Sequence, residues 1–275
     1  FHCFGVVLSM TSTMTHGGTL FPIPYFSPKS SLSCVHNEHI TCFNGVPTMF
    51  IAMFNHADFE KTDFSYVRTG IMAGANCPAD LMRKAAKEMN MTEIISVYGQ
   101  TEASPGCTMG EVNEDIDHRV ETVGSAFPGV ECKIINPETG EGEIVAKGPN
   151  VMLGYYKDPV RTKSVFTEDG WFRTGDIGKL DEYGALHITG RIKNLIILAN
   201  GENIAAEAIE NLVYDIPYVK EVICYGEEDL IVAEMFLDEE VADAKDRINA
   251  DIQELNNKLP QIKNIYMYVV DICFL

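Results

Sequence analysis

The 275-residue sequence predicts an α/β layer built on a parallel sheet, then a small antiparallel β-barrel, then a separate α+β unit. Three observations carry this. From Phe1 to about Ser96 helical and strand patterns alternate, the order of a parallel sheet covered by helices. Between about Asp117 and Ile188 the pattern changes to short strands separated by Gly and Pro turns. Beyond Lys193 the charge changes abruptly: residues 194–275 hold 5 basic and 17 acidic side chains, against 6 and 7 in residues 1–100.

Taken in order, Gly5–Met14 reads as a helix stopped by Gly17-Gly18, a pair suited to a C-terminal cap. Thr19–Tyr25 reads as a strand. Ser27-Pro28 supplies an N-cap and a first-turn proline and opens a helix to about Asn37. Ile40–Asn44 is a short strand, and Pro47 opens a helix through Phe54. Tyr66–Met72, Pro78–Met89 and Glu93–Val97 complete a strand, an amphipathic helix and a strand. Gly129–Ile135, the turn Pro137–Gly140, Gly142–Lys147 and Ala185–Thr189 supply the barrel. A strand at Leu195–Ala199, a turn at Asn200-Gly201, a helix near Ala205–Tyr214, strands at Glu221–Tyr225 and Leu230–Phe236 and a helix from about Asp238 to Lys258 form the last unit. The expected domains are 1–191 (α/β 1–116, barrel 117–191) and 192–275.

A formal charge of −19 argues against a nucleic-acid partner, because phosphate backbones are held by clustered Lys and Arg. Eight Cys without a C-x-x-C pair, and no signal peptide, point to a reducing cytoplasm. Residues 1–28 contain no Asp, Glu, Lys or Arg. Prolines and hydroxyls interrupt this stretch short of the ~18 apolar residues of a membrane span, so it is expected as a buried part of the core. Cys34, His36, His39 and Cys42 have metal-like spacing, but the run crosses from helix to strand and zinc is set aside. The chain starts at Phe1 in core-like sequence and is expected to be part of a longer protein.

Ligands of open parallel sheets bind beyond the carboxyl ends of the strands. Two loops fall there: Ala73-Gly74-Ala75-Asn76, and Tyr98-Gly99-Gln100-Thr101-Glu102. The second opens a series of motifs in fixed order: Gly142-Glu143-Ile144 with Gly154-Tyr155-Tyr156, then Trp171-Phe172-Arg173-Thr174-Gly175-Asp176, then Gly190-Arg191-Ile192-Lys193 with Gly201-Glu202-Asn203-Ile204. Each is weak alone; the ordered set is specific.

With these motifs the sequence resembles the adenylate-forming enzyme superfamily, and within it the fatty acyl-CoA synthetases, over essentially the whole chain. The resemblance implies ATP (leaving AMP), Mg2+ and coenzyme A as cofactors and a fatty acid as substrate. It implies that Thr101 contacts phosphate and Glu102 binds Mg2+. Tyr98 would pack on adenine, with Gly74, Ala75 and Gly99 beside it, and Asp176 and Arg191 would hold the ribose and phosphate. Lys193 would be the hinge of a mobile small domain, Gly201 would line the pantetheine channel, and His2 would gate the acyl site. Relatives that activate amino acids carry Asp where His2 stands, so an apolar acyl chain is favoured. Loading of a carrier protein, or AMP binding without catalysis, stay open as alternatives. So do oligomeric state and peripheral membrane contact.

Two departures matter. The family's Gly/Ser/Thr-rich phosphate loop with its Lys belongs before His2, and its adenylation Lys belongs in a Gly-Lys motif beyond Lys263. The 275 residues contain neither, and by themselves they are expected to adenylate poorly. Asn76 where Pro is usual, and Ala208 where Glu is usual, are smaller departures.

Overall fold

The computed structural model describes residues 2–138, 140–197, 203–227, 230–238, 241, 243–259 and 264–269. The chain divides into two compact units, Phe1–Thr174 with Lys179–Ile188, and Gly175–Gly178 with Thr189–Leu275.

In the first unit a π-helix, Phe4–Thr11, continues into α1 (Ser12–Thr15). Gly17, at φ +69°, ends it. Thr19–Tyr25 forms no strand. Pro22 and Pro24 lack the N–H that a ladder needs. Nor is the charge-free stretch buried: no residue from His2 to Pro28 is, and Met14, Phe21 and Tyr25 are exposed. Without a ladder or a covering element, apolar composition alone does not bring this segment into the core.

Ser27 Oγ accepts from the Ser30 amide at 3.1 Å and caps α2 (Pro28–Glu38), while α3 spans Pro47–Phe54. Between them the chain makes only two parallel bridges, Cys42↔Thr69 and Gly45↔Met72. Asn44 Oδ1 takes the Ile71 amide at 2.9 Å, which interrupts the expected strand. β1 (Thr69–Ala73) is shorter than expected, since Val67 N turns back to the Phe64 carbonyl. It runs parallel to β2 (Glu93–Tyr98), in register from Thr69↔Glu93 to Ala73↔Val97. The crossover helix α4 (Ala79–Glu88) buries Met82 and Ala85 against a core with Phe50, Met53, Met72 and Ile94.

β3 (Thr108–Met109) and β4 (Ser125–Ala126) extend the sheet in the order β1-β2-β3-β4. The helix α5 (Ile116–Glu121) between them was not expected from sequence. Its buried Arg119 donates to the carbonyls of Thr92, Glu114 and Ile94, as a buried guanidinium must.

β5 (Glu131–Glu138), β6 (Glu141–Lys147), β7 (Phe172–Leu180) and β8 (Leu186–Arg191) form a second sheet in that order, with α6 (Pro159–Ser164) before β7. This sheet is open, not the expected closed barrel. Closure would pair the last strand with the first, and the segment between α5 and β5 instead feeds β4 into the other sheet.

In the second unit β9 (Leu195–Ile197) pairs with β10 (Asn203–Ala205), which leads into α7 (Ala206–Tyr214). β11 (Val219–Glu227) and β12 (Leu230–Leu237) are antiparallel. α8 (Ala244–Lys258) starts later than expected, because the Asp238 amide still bonds the Tyr218 carbonyl at the end of the ladder. It presents Ala244, Ile248 and Ile252 to the core, a four-residue spacing that keeps one helical face inward. β13 (Ile265–Val269), unexpected from sequence, lies parallel to β12. Among the described residues no helix is long and apolar enough to cross a membrane.

Candidate functional site

β1 and β2 end at the same edge. Their register sets Gly74 and Tyr98, the next residues along, side by side. Gly74 sits at φ +88°, where an L side chain is strained, and a Cβ there would meet Val46 Cγ1 at 3.2 Å. Gly74 and Ala75 are both exposed. Tyr98 is only 9% exposed and packs with Ala103, Cys107, Ile144 and Leu186. The face it offers a ligand is therefore narrow.

Beyond Tyr98 the chain folds tightly on itself. A Cβ on Gly99 would run into the Pro105 carbonyl and come within 2.7 Å of Gly106 Cα. Thr101–Ala103 makes a 3-10 turn. Asn150 fixes that turn by donating to the carbonyls of Ala103 (2.9 Å) and Gly106 (2.7 Å). Gln100 Nε2 donates to the Thr174 carbonyl at 3.2 Å.

Two distant segments converge on Thr101 and Glu102. From the N-terminus, Cys3 Sγ lies 3.5 Å from Thr101 Oγ1. His2 is beside it, exposed, its Nδ1 accepting from the Phe4 amide at 3.2 Å. From the loop after β6, the Met152 amide donates to the Glu102 carbonyl at 2.7 Å and the Tyr155 hydroxyl to Glu102 Oε1 at 2.9 Å. Tyr155 is itself held: its amide donates to Thr162 Oγ1 and the Arg161 guanidinium stacks 4.1 Å from the ring centre. Burial, then the Glu102 carboxylate, push the Tyr155 hydroxyl above its usual pKa, which keeps it protonated and donating.

Glu102 forms no ion pair with a Lys or Arg among the described residues. Among the described residues its side-chain partner is a neutral phenol, so acceptor capacity remains for a hard cation. Mg2+ is commonly held by one or two carboxylates together with substrate phosphates, and the donor set fits that use.

In the second unit Asp176, 4% exposed, accepts from Arg191 Nε at 2.6 Å. Lys193 follows on an exposed 3-10 turn, Ile192–Asn194. Gly201 lies outside the described residues. Thr101, Glu102, His2, Gly74, Ala75, Tyr98 and Gly99 thus belong to the first unit, and Asp176, Arg191 and Lys193 to the second. Sequence reasoning gave no role to Cys3 or Asn150. It noted Tyr155 only as part of Gly154-Tyr155-Tyr156. The metal-like Cys/His run is engaged otherwise: His36 accepts from the Asp63 amide, and His39 stacks on Tyr66.

A Thr-Glu turn at the carboxyl edge of a parallel sheet, followed in the chain by a small α+β unit, is an architecture suited to nucleotide ligands. The chain belongs to the AMP-binding enzyme family, whose pattern matches residues 1–156. It is 43% identical over 236 residues to YngI of Bacillus subtilis strain 168, provisionally named an acyl-CoA synthetase. That match covers 83% of this chain and 43% of YngI. It is 37% identical over 237 residues to the mitochondrial medium-chain acyl-CoA ligase ACSF2 of Rattus norvegicus, covering 83% and 38%. The chain thus spans less than half the length of these relatives. Among solved structures, the ATP-bound RpMatB-BxBclM chimera B3 superposes with a TM-score of 0.84 at 31% identity, covering 98% of this chain and 54% of the other. The AMP complex of o-succinylbenzoate CoA synthetase (MenE) from Bacillus subtilis shares the fold, with a TM-score of 0.82 at 24% identity and the same 98% of this chain, against 55% of its own.

Proposed function

We propose that these residues form part of an AMP-forming acid–thiol ligase that activates a medium- or long-chain fatty acid and transfers it to coenzyme A. The supporting observation is the convergence on Thr101 and Glu102 of the N-terminal His2-Cys3 segment and the Met152–Tyr155 loop, at the sheet edge where ligands bind. Acyl-CoA ligases among the relatives support the same reading.

In the first half-reaction a carboxylate oxygen attacks the α-phosphorus of ATP. The new O–P bond forms as the bond to pyrophosphate breaks. In the second, the coenzyme A sulfur attacks the acyl carbonyl, AMP leaves, and the thiol proton is released. Thr101 would donate its hydroxyl to a phosphate oxygen. Glu102, oriented by Tyr155, would hold Mg2+, which supplies charge neutralisation at the phosphates. Asp176 would accept from the ribose hydroxyls and Arg191 would donate beside it. His2, exposed next to Cys3, would border the acyl entrance. Lys193 would serve as the hinge and Gly201 would border the pantetheine.

The full-length protein containing this sequence, given ATP, Mg2+ and saturated fatty acids of graded length, should release pyrophosphate and form acyl-CoA. Formation only with a phosphopantetheinyl carrier would favour the carrier-loading alternative. Absence of pyrophosphate release with every carboxylic acid would refute the ligase reading.

A further inference from the structure

Residues 148–152 grip the Thr101–Ala103 turn from outside. After Ala103 the chain reverses at Ser104, where φ is +53°. The carbonyls of Glu102, Ala103 and Gly106 find their donors in the loop after β6. The Met152 amide donates to the first at 2.7 Å. Asn150 Nδ2 donates to the other two, at 2.9 and 2.7 Å. Ala103 and Gly106 are buried, so their carbonyls depend on a partner within the protein.

The chemistry of this grip is specific to a primary amide. Its nitrogen carries two N–H groups, one for each carbonyl; a hydroxyl carries one donor and a carboxylate none. The two acceptors also settle which end of the Asn150 side chain is nitrogen. Oδ1 is buried and has no partner among the described residues. A Cβ on Gly148 would stand 2.7 Å from that oxygen, so the glycine leaves the room that the amide needs. The Val151 amide donates to the Gly148 carbonyl at 3.2 Å, closing a turn over Gly148-Pro149-Asn150-Val151. Proline is favoured at the second position of such a turn, and here it leads directly into Asn150.

We propose that Asn150 is a positioning residue of the metal–nucleotide site. By holding two carbonyls of the chain around the turn, it fixes how the backbone presents the Thr101 hydroxyl and the Glu102 carboxylate, and so sets the affinity for Mg2+–ATP. Tyr155 orients the Glu102 side chain; Asn150 orients the backbone that carries it. The choice of Mg2+–ATP as ligand rests on the ligase reading.

The test uses the full-length protein containing this sequence. Asn150→Asp keeps the side-chain shape and removes both donors. Peptides covering 99–107 contain the Ala103, Ser104 and Cys107 amides, which bond the carbonyls of Gln100, Thr101 and Tyr98. In the variant these peptides should exchange hydrogen for deuterium about tenfold faster, with β11 and β12 unchanged. Calorimetry with Mg2+ and ATP, without fatty acid, should show binding weakened about tenfold. Gly148→Ala displaces the amide without altering it; it should move both readouts the same way by less, and it decides the matter if Asn150→Asp does not fold. A lower melting temperature with unchanged exchange and unchanged Mg2+–ATP affinity would overturn the proposal. So would a wild type that binds no Mg2+–ATP. Binding without pyrophosphate release for any carboxylic acid would refute the ligase reading alone, and the comparison of wild type with Asn150→Asp would still decide the role of Asn150.

Discussion

The Tyr155 hydroxyl donates to Glu102 Oε1 across 2.9 Å, joining residues 53 positions apart. Through this bond the loop after β6 sets the direction of the Glu102 carboxylate, the proposed Mg2+ ligand. In a full-length protein, Tyr155→Phe should leave the fold intact and loosen Glu102. A hydrogen bond to a charged group contributes roughly 1.5–3 kcal/mol, so the apparent affinity for Mg2+–ATP should fall about tenfold or more. A magnesium titration at fixed ATP reads this. An unchanged half-saturation concentration would remove Tyr155 from the site.

The Asp176–Arg191 pair gives a second expectation. Asp176 is almost wholly buried, whereas the Arg191 side chain is 58% exposed. Removing the cation leaves a buried carboxylate with one partner fewer. Arg191→Ala should destabilise the second unit by about 1.5–3 kcal/mol. Arg191→Lys should recover only part of this, because an ammonium cannot reproduce the guanidinium geometry. Urea unfolding followed by β-sheet circular dichroism measures both.

A pH dependence is built into the first unit. His118 Nε2 and His187 Nε2 lie 3.0 and 3.3 Å from Asp181 Oδ2, and His118 Nδ1 faces Glu114 at 3.2 Å. The Asp181 hydrogen bond, helped by Glu114 against burial, raises His118. Burial would raise Asp181, but bonds from His118, the Ala185 and Tyr183 amides and His187 bring it down to about 2. The His118 contribution is full below its unfolded pKa of about 6.5 and is lost as pH rises through its higher folded value. The Asp181 contribution is full above an unfolded pKa of about 4 and is lost as pH falls toward 2. Both act together between roughly pH 4 and 6.5. Melting temperature against pH should show an excess of wild type over Asp181→Asn in that window. A constant difference from pH 3 to pH 9 would contradict this.

Gly99 tests the tightness of the loop. With no space beside the Pro105 carbonyl, Gly99→Ala forces the backbone apart at a cost of about 1–3 kcal/mol. Because that backbone leads directly into Thr101 and Glu102, nucleotide binding should weaken as well. Thermal melts and AMP calorimetry on the same variant separate the two effects. Gly5→Ala, where a Cβ meets nothing within 4 Å and the backbone is not left-handed, serves as a glycine control for open space.

Local chemistry was legible in the sequence, and distant pairing was not. Ser27-Pro28, Pro47 and the β1-α4-β2 crossover could be read because caps, first-turn prolines and apolar periodicity act within a few residues. The same local reading failed at Thr19–Tyr25, where strand-like composition has no partner. It failed again at the sheet of β5 to β8, whose closure depends on which strands meet. The motif around Thr101 and Glu102 stood out as a string, whereas its supports from Cys3, Asn150 and Tyr155 arrive through folding. No spacing rule connects His118 to Asp181. β13 escaped notice because five residues near the end of the chain acquire strand character only beside β12.

Strand β7 has a practical consequence for dissection. Its residues Gly175–Gly178 group with the second unit, whereas the residues flanking them group with the first. The backbone therefore passes between the units three times, and no single cut yields an intact second half. An excised piece starting at Thr189 would contain Arg191 but leave Asp176 behind. Only a design that grafts 175–178 onto such a piece, or a circular permutant opened elsewhere, would keep that ionic couple together.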